Sequence, residues 1–283
     1  MVWCRRVLGG LIGALLLSVT TLAGAEAATD GFDLQCPLEP GRSSFHLKVG
    51  NRKREVVVEV GSQAGKDGPA PVVFFWHGWG GNPRGYLNWL GVARDWPEAV
   101  FIAPQGLPRR FPGSSRSLPG WQAYAAEHDG RDLALFDALV ANLKKLPCLD
   151  AQRFLSSGFS NGGMFSNLLG CRRSDALAAI APVGGRGPNS YDICEAPVAT
   201  WVAHGSSDRI VPPAAGRASF ASWQKHNGCE IEEPGSDGCF EAKNCRRDVV
   251  LCMYEGGHTW PSKLTPDWKR FLENQRLSAL KKP

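Results

Sequence analysis

Arg153-Phe154-Leu155-Ser156-Ser157-Gly158-Phe159-Ser160-Asn161-Gly162-Gly163-Met164-Phe165 reads as a strand, a tight turn and the opening of a helix. The Gly158, Ser160 and Gly162 spacing is G-x-S-x-G, in which small flanking residues let the backbone bend sharply and lift the serine hydroxyl above a sheet edge. Gly163 then lets the helix pack close. The bare string is a weak signal; its position between a strand-like and a helix-like run gives it weight.

Outward from this turn the chain alternates. Residues 72–76, 100–103, 153–157, 178–181, 198–203 and 249–254 are short apolar runs bounded by turn residues, the pattern of buried strands. Helical periodicity is clearest over 132–146, where Leu135, Phe136, Leu139, Val140 and Leu143 recur at three- and four-residue steps, and helices also fit 162–169, 214–226 and 267–280. Residues 45–49 and 55–60 flank Gly50-Asn51-Arg52 as an antiparallel hairpin near the start. The expected fold class is therefore α/β, a mostly parallel central sheet with helices on both faces and an N-terminal antiparallel hairpin. Residues 106–129 carry Pro108, Pro112, Gly113, Pro119 and Gly120 and read as a long surface loop, the kind that shapes a binding site.

Composition agrees with a globular chain. Of 283 residues, 43% are hydrophobic and 21% charged, and the 33 Gly and 20 Pro follow no fixed period, which excludes collagen, solenoid and coiled-coil readings. Arg5 and Arg6 before an apolar stretch over 7–17, with small residues around Ala25-Glu26-Ala27, predict a secretory signal over 1–27, leaving 28–283 as a single domain without an internal linker. Its removal would leave 30 basic against 26 acidic residues, scattered rather than in runs, so neither nucleic acid nor a membrane is expected as partner.

The signal would take Cys4 with it, leaving Cys36, Cys148, Cys171, Cys194, Cys229, Cys239, Cys245 and Cys252, an even set in a chain bound for an oxidising compartment. No C-x-x-C, H-E-x-x-H or H-x-H spacing occurs, so no metal and no cofactor is expected. Residues 241–244 and 248–254 look like hairpin arms; if Lys243 faces Asp248, Cys239 falls opposite Cys252. The remaining pairs would then be Cys229 with Cys245, Cys171 with Cys194 and Cys36 with Cys148.

A serine nucleophile needs a base and an orienting acid, which above an α/β sheet follow in the order Ser, Asp or Glu, His, each beyond a later strand. After the 198–203 run comes His204-Gly205-Ser206-Ser207-Asp208, and after 249–254 comes Gly256-Gly257-His258-Thr259-Trp260-Pro261. Ser160, Asp208 and His258 are the candidate triad, with His204 a packing residue rather than a second base. A tetrahedral oxyanion requires backbone N–H donors. The segment after the 72–76 strand, His77-Gly78-Trp79-Gly80-Gly81-Asn82, offers Trp79, with Gly78 its nearest rival, and the residue after the nucleophile offers Asn161.

Together, His77-Gly78-Trp79-Gly80-Gly81, Gly158-Phe159-Ser160-Asn161-Gly162-Gly163-Met164, His204-Gly205-Ser206-Ser207-Asp208 and Gly256-Gly257-His258-Thr259-Trp260-Pro261 resemble the secreted polyhydroxybutyrate depolymerase and feruloyl esterase-like family of α/β-hydrolases, over nearly the whole mature chain. The resemblance implies that fold and serine-dependent carboxylic ester hydrolysis, with Ser160, Asp208 and His258 as triad. Hydroxybutyrate polyesters, feruloyl esters of plant cell wall and acetyl groups of xylan are the ester types it brings. Two features depart from the pattern: Trp79 stands where members often have Cys near the oxyanion loop, and Cys239 with Cys252 looks like an additional pair.

Substrate contacts are expected from Trp121 and Trp260, at the strand-end face, where indoles would stack on an aromatic acyl group or a sugar ring. The partner is thus a small, oligomeric or polymeric ester, and oligomeric state is not legible. Two rival classes remain, a serine peptidase of the same fold and a non-catalytic surface or sugar-binding protein.

Overall fold

The computed structural model describes Met1 and residues 29–277, apart from 112, 188–193, 232, 236 and 237. The expected signal cleavage lies outside the described residues, and the last helix, expected over 267–280, instead runs from Thr265 to Glu273, with 274–277 non-helical.

A short strand β1 (Thr29–Asp30) pairs with β2 (Gly41–Val49), which turns back into β3 (Arg52–Val60). This is the hairpin expected from 45–60, but both arms are longer. Val49 pairs directly with Arg52, so Gly50 and Asn51 form a two-residue turn, with Gly50 at φ +58°. Next come β4 (Ala70–Trp76), α1 (Pro83–Leu90), α2 (Val92–Asp95) and β5 (Val100–Pro104). Residues 106–129, expected as plain loop, contain a second small sheet, β6 (Leu107–Arg110) paired antiparallel with β7 (Ser117–Gly120). The remaining elements are α3 (Arg131–Leu143), β8 (Leu149–Phe159), α4 (Asn161–Arg172), β9 (Ala179–Val183), β10 (Ala199–Gly205), α5 (Pro213–Asn227), β11 (Gly238–Glu241), β12 (Val249–Tyr254) and α6 (Thr265–Glu273).

The main sheet runs β1-β2-β3-β5-β4-β8-β9-β10-β12-β11. From β5 to β12 the pairings are parallel, while the hairpin and β11 add antiparallel edges. Strand β4 shows why helices cover both faces. All its residues are buried, and alternation sends Val72, Phe74 and Trp76 into a core with Phe136, Leu139, Phe165, Leu168, Phe220 and Trp223 of α3, α4 and α5. Val73 and Phe75 point the other way, toward Leu87 and Leu90 of α1 and Trp268 and Leu272 of α6. The chain leaves β4 for β5 on one side and reaches β8 on the other, so the carboxyl ends of β4 and β8 flank the point where strand order reverses. Open α/β sheets form their crevice there.

Disulfides join Cys36 to Cys148, Cys171 to Cys194, Cys229 to Cys245 and Cys239 to Cys252. The last follows from register, because Cys239 lies directly opposite Cys252 in the β11–β12 pair. The arms themselves are displaced from expectation: β11 ends at Glu241, β12 begins at Val249, and residues 242–248 form the connection. No helix among the described residues is long and apolar enough to cross a membrane.

Candidate active site

Ser160 sits between β8 and α4 at φ +55°, ψ −118°, a conformation an L-residue adopts only under strain. Crowding explains the glycines around it. A Cβ on Gly162 would lie 1.9 Å from the Trp76 carbonyl oxygen, and one on Gly158 would lie 2.5 Å from the Gly162 backbone. The Ser160 N–H donates to Val183 O of β9 at 2.8 Å, fixing the turn to the sheet.

Asp208 and His258 lie beyond neighbouring strands, β10 and β12, and hydrogen bonds from Ser206 N to Tyr254 O and from Ser207 N to Gly256 O join their loops. His258 Nε2 lies 2.8 Å from Ser160 Oγ, and His258 Nδ1 lies 2.6 Å from Asp208 Oδ2. The other carboxylate oxygen, Oδ1, accepts from Ile210 N at 2.8 Å and Val211 N at 2.9 Å. Burial alone would raise the Asp208 pKa. The hydrogen bonds from His258, Val211 and Ile210, with the charge of His258, outweigh it and hold the carboxyl below its ordinary value. The arrangement lets His258 take a proton from Ser160 while an ionised Asp208 orients the ring.

His204 is fully buried, with Nε2 2.8 Å from Val211 O and 3.5 Å from Asp208 Oδ2. Burial holds it below the ordinary histidine pKa, so it is a neutral ring supporting the Asp208 loop.

His77 shapes the other side. The Gly106 N–H donates to its Nε2 at 2.9 Å, which leaves Nδ1 as the protonated nitrogen, donating to Gly78 O at 2.7 Å. Burial lowers its pKa to about 4. Because this lies below the unfolded value, the unfolded chain binds the proton first. Stability is then full above about pH 6.5 and falls by about 3 kcal/mol toward pH 4. Denaturant titrations over that range should show a steeper acid loss for wild type than for His77→Gln; parallel curves would contradict this role.

The loop held by His77 carries Trp79, and the first residue of α4 is Asn161. Among the described residues no hydrogen bond engages either backbone N–H. Gly78 comes close to the nucleophile, since a Cβ there would lie 3.6 Å from Ser160 Cβ. The Asn161 side chain, absent from the sequence reading, clamps the β6–β7 segment: Oδ1 accepts from Trp121 N at 2.7 Å and Nδ2 donates to Trp121 O at 2.9 Å. Trp79 Nε1 donates to Arg109 O at 2.9 Å, and its ring packs edge-on against Phe111.

The two tryptophans expected to contact substrate are core residues. Trp121 is 0% exposed, donates from Nε1 to His77 O and packs on Trp76 and Phe165. Trp260 is 5% exposed and packs on Phe75 and Trp268. The ring that lies against the triad is that of Phe159, 4.6 Å from that of His258, with Tyr86 and Trp89 of α1 beyond it. Among the described residues no group of three or more His, Cys, Asp or Glu could hold a metal ion.

No family model matches the chain. It is 29% identical to feruloyl esterase C of Emericella nidulans, over 93% of this chain and 99% of that one. With feruloyl esterase D of Neurospora crassa the identity is 27%, over 89% of each. Among solved structures, an acetyl xylan esterase from Aspergillus awamori superposes with TM-score 0.57 at 14% identity, over 77% of this chain and 93% of that one. The Bacillus cereus carboxylesterase gives 0.55 at 19%, over 78% and 93%. The fold is that of an α/β-hydrolase. Over most of its length the chain is similar to feruloyl esterases, and it is a carboxylic ester hydrolase.

Proposed function

We propose that the protein is a secreted serine esterase that cleaves feruloyl or acetyl esters of plant polysaccharide through Ser160, His258 and Asp208. The observation that carries this reading is the hydrogen-bonded line from Ser160 Oγ through His258 to Asp208. Likeness to feruloyl esterases over most of the chain supports the substrate class, and the four disulfides fit an oxidising, extracellular setting.

His258 removes the Ser160 proton as Oγ bonds to the ester carbonyl carbon, and the Trp79 and Asn161 amides hold the oxyanion. Collapse of the intermediate breaks the bond to the alcohol oxygen, which leaves with the proton from His258. Water, deprotonated by His258, then attacks the acyl-enzyme. A second collapse breaks the acyl bond to Oγ, returns the proton to Ser160 and releases the acid. The neutral His77 ring fixes the Trp79 loop, and the Asn161 clamp fixes the opposite wall.

The test is acid release from methyl ferulate, acetylated xylan, a hydroxybutyrate oligomer and a short-chain ester, with Ser160→Ala as blank. The expected ranking places the ferulate and the xylan first. A preference for the oligomer would make the protein a polyester depolymerase instead.

A further inference from the structure

Trp89 is the one exposed tryptophan among the described residues, 50% exposed. The buried stripe of α1 consists of Pro83, Leu87 and Leu90, and Trp89 falls off it. Its indole is nevertheless held. It meets Tyr86 edge-on at 5.5 Å and Phe159 edge-on at 6.0 Å, and Phe159 lies against the His258 ring at 4.6 Å. An aromatic surface half in water is thus connected to the base through a single ring.

The side of the site follows from the proton path. His258 Nε2 faces Ser160 Oγ and must later give its proton to the departing alcohol oxygen, so the alcohol half of the ester lies toward His258. The oxyanion lies toward Trp79 and Asn161. The rings beside His258 are Phe159, which also lies near Gly78 of the Trp79 loop, and then Trp89, and the alcohol half meets them from the His258 side. A sugar has apolar C–H faces and a rim of hydroxyls, which suits a flat indole that covers one face and leaves the rim in water.

We infer that Trp89 is a specificity residue that stacks on the sugar ring of the leaving alcohol. This rests on the reading of the protein as an esterase of plant polysaccharide, and it names which half of that substrate Trp89 meets. Trp89 touches no reacting atom, so it sets which alcohol is preferred rather than the rate of acyl transfer.

Two esters with the same acyl group separate the halves: methyl ferulate and a feruloylated pentose oligosaccharide. In Trp89→Ala the ratio of kcat/KM for the sugar ester over that for methyl ferulate should fall about tenfold, through KM of the sugar ester, and Trp89→Phe should recover most of it. An unmoved ratio, or an equal loss on both esters, overturns the inference while leaving the esterase reading intact. Binding gives a readout that needs no turnover. Titrating the Ser160→Ala protein with the feruloylated oligosaccharide should change indole fluorescence, and the change should be lost when Trp89→Ala is added. A change that survives Trp89→Ala would equally overturn it.

Discussion

Ser160→Ala should cut kcat by roughly 10⁴–10⁶-fold, leaving only the acceleration that binding and the oxyanion donors supply. The substitution removes Oγ and nothing that holds the turn, because the Ser160 N–H bond to Val183 and the Met164 N–H bond to Ser160 O are both backbone. Circular dichroism and melting should therefore match wild type while turnover collapses. A fluorophosphonate should label wild type stoichiometrically and the variant not at all. Ser160→Gly adds a second reading. At φ +55° any side chain is strained, so the glycine variant should be as inactive as the alanine variant yet more stable by about 1 kcal/mol. Residual activity within tenfold of wild type in either variant would remove Ser160 from the mechanism.

How much of the site was legible in the chain depended on the kind of element carrying it. Ser160, Asp208 and His258 each follow a buried strand, and strand ends in a parallel sheet converge, so residue type and order located them together. The hydrogen bond of Asp208 to two following amides belongs to the same loop and adds local geometry without altering that order. Trp121 and Trp260 lie in the right loops but point inward, and no two-residue or 3.6-residue period fixes which way a loop side chain turns.

The converse error concerns α1. Asn82 caps it by accepting from Gly85 N at 2.8 Å and Pro83 opens it, both readable signals. The helix is nonetheless short, and without it Trp89 had no face to be assigned to. The β6–β7 pair escaped for a related reason. Leu107-Pro108-Arg109-Arg110 and Ser117-Leu118-Pro119-Gly120 show no alternation, because pairing with each other rather than burial of one face makes them strands.

Asp132→Ala should cost about 3–5 kcal/mol, the largest stability loss expected of a single polar residue here. Arg54 of β3 meets Asp132 of α3 at 2.5 Å, with side chains 2% and 0% exposed, so removing the carboxylate strands a guanidinium away from water. The other carboxylate oxygen accepts from Gln122 N at 2.7 Å, and Gln122 Oε1 accepts in return from Asp132 N at 2.8 Å. Gln122 adjoins Trp121, whose backbone the Asn161 side chain grips at the start of α4. A connected path thus runs from the edge hairpin to the residue after the nucleophile. Asp132→Asn keeps an acceptor for Gln122 and should fall between wild type and alanine. Arg54→Met with Asp132→Ala removes the guanidinium that the single change strands, while Arg131, 3.5 Å from Asp132, keeps its bonds to Leu107 O and Pro108 O, and the pair should be less unstable than the two single changes summed, by 1 kcal/mol or more. If the losses simply add in denaturant unfolding, the pair is not coupled. If the path positions the site, the Asp132 variants should also lose kcat well below their melting temperatures, in the same order as their stabilities. Full activity in a destabilised Asp132→Ala protein would confine the ion pair to holding the hairpin on α3.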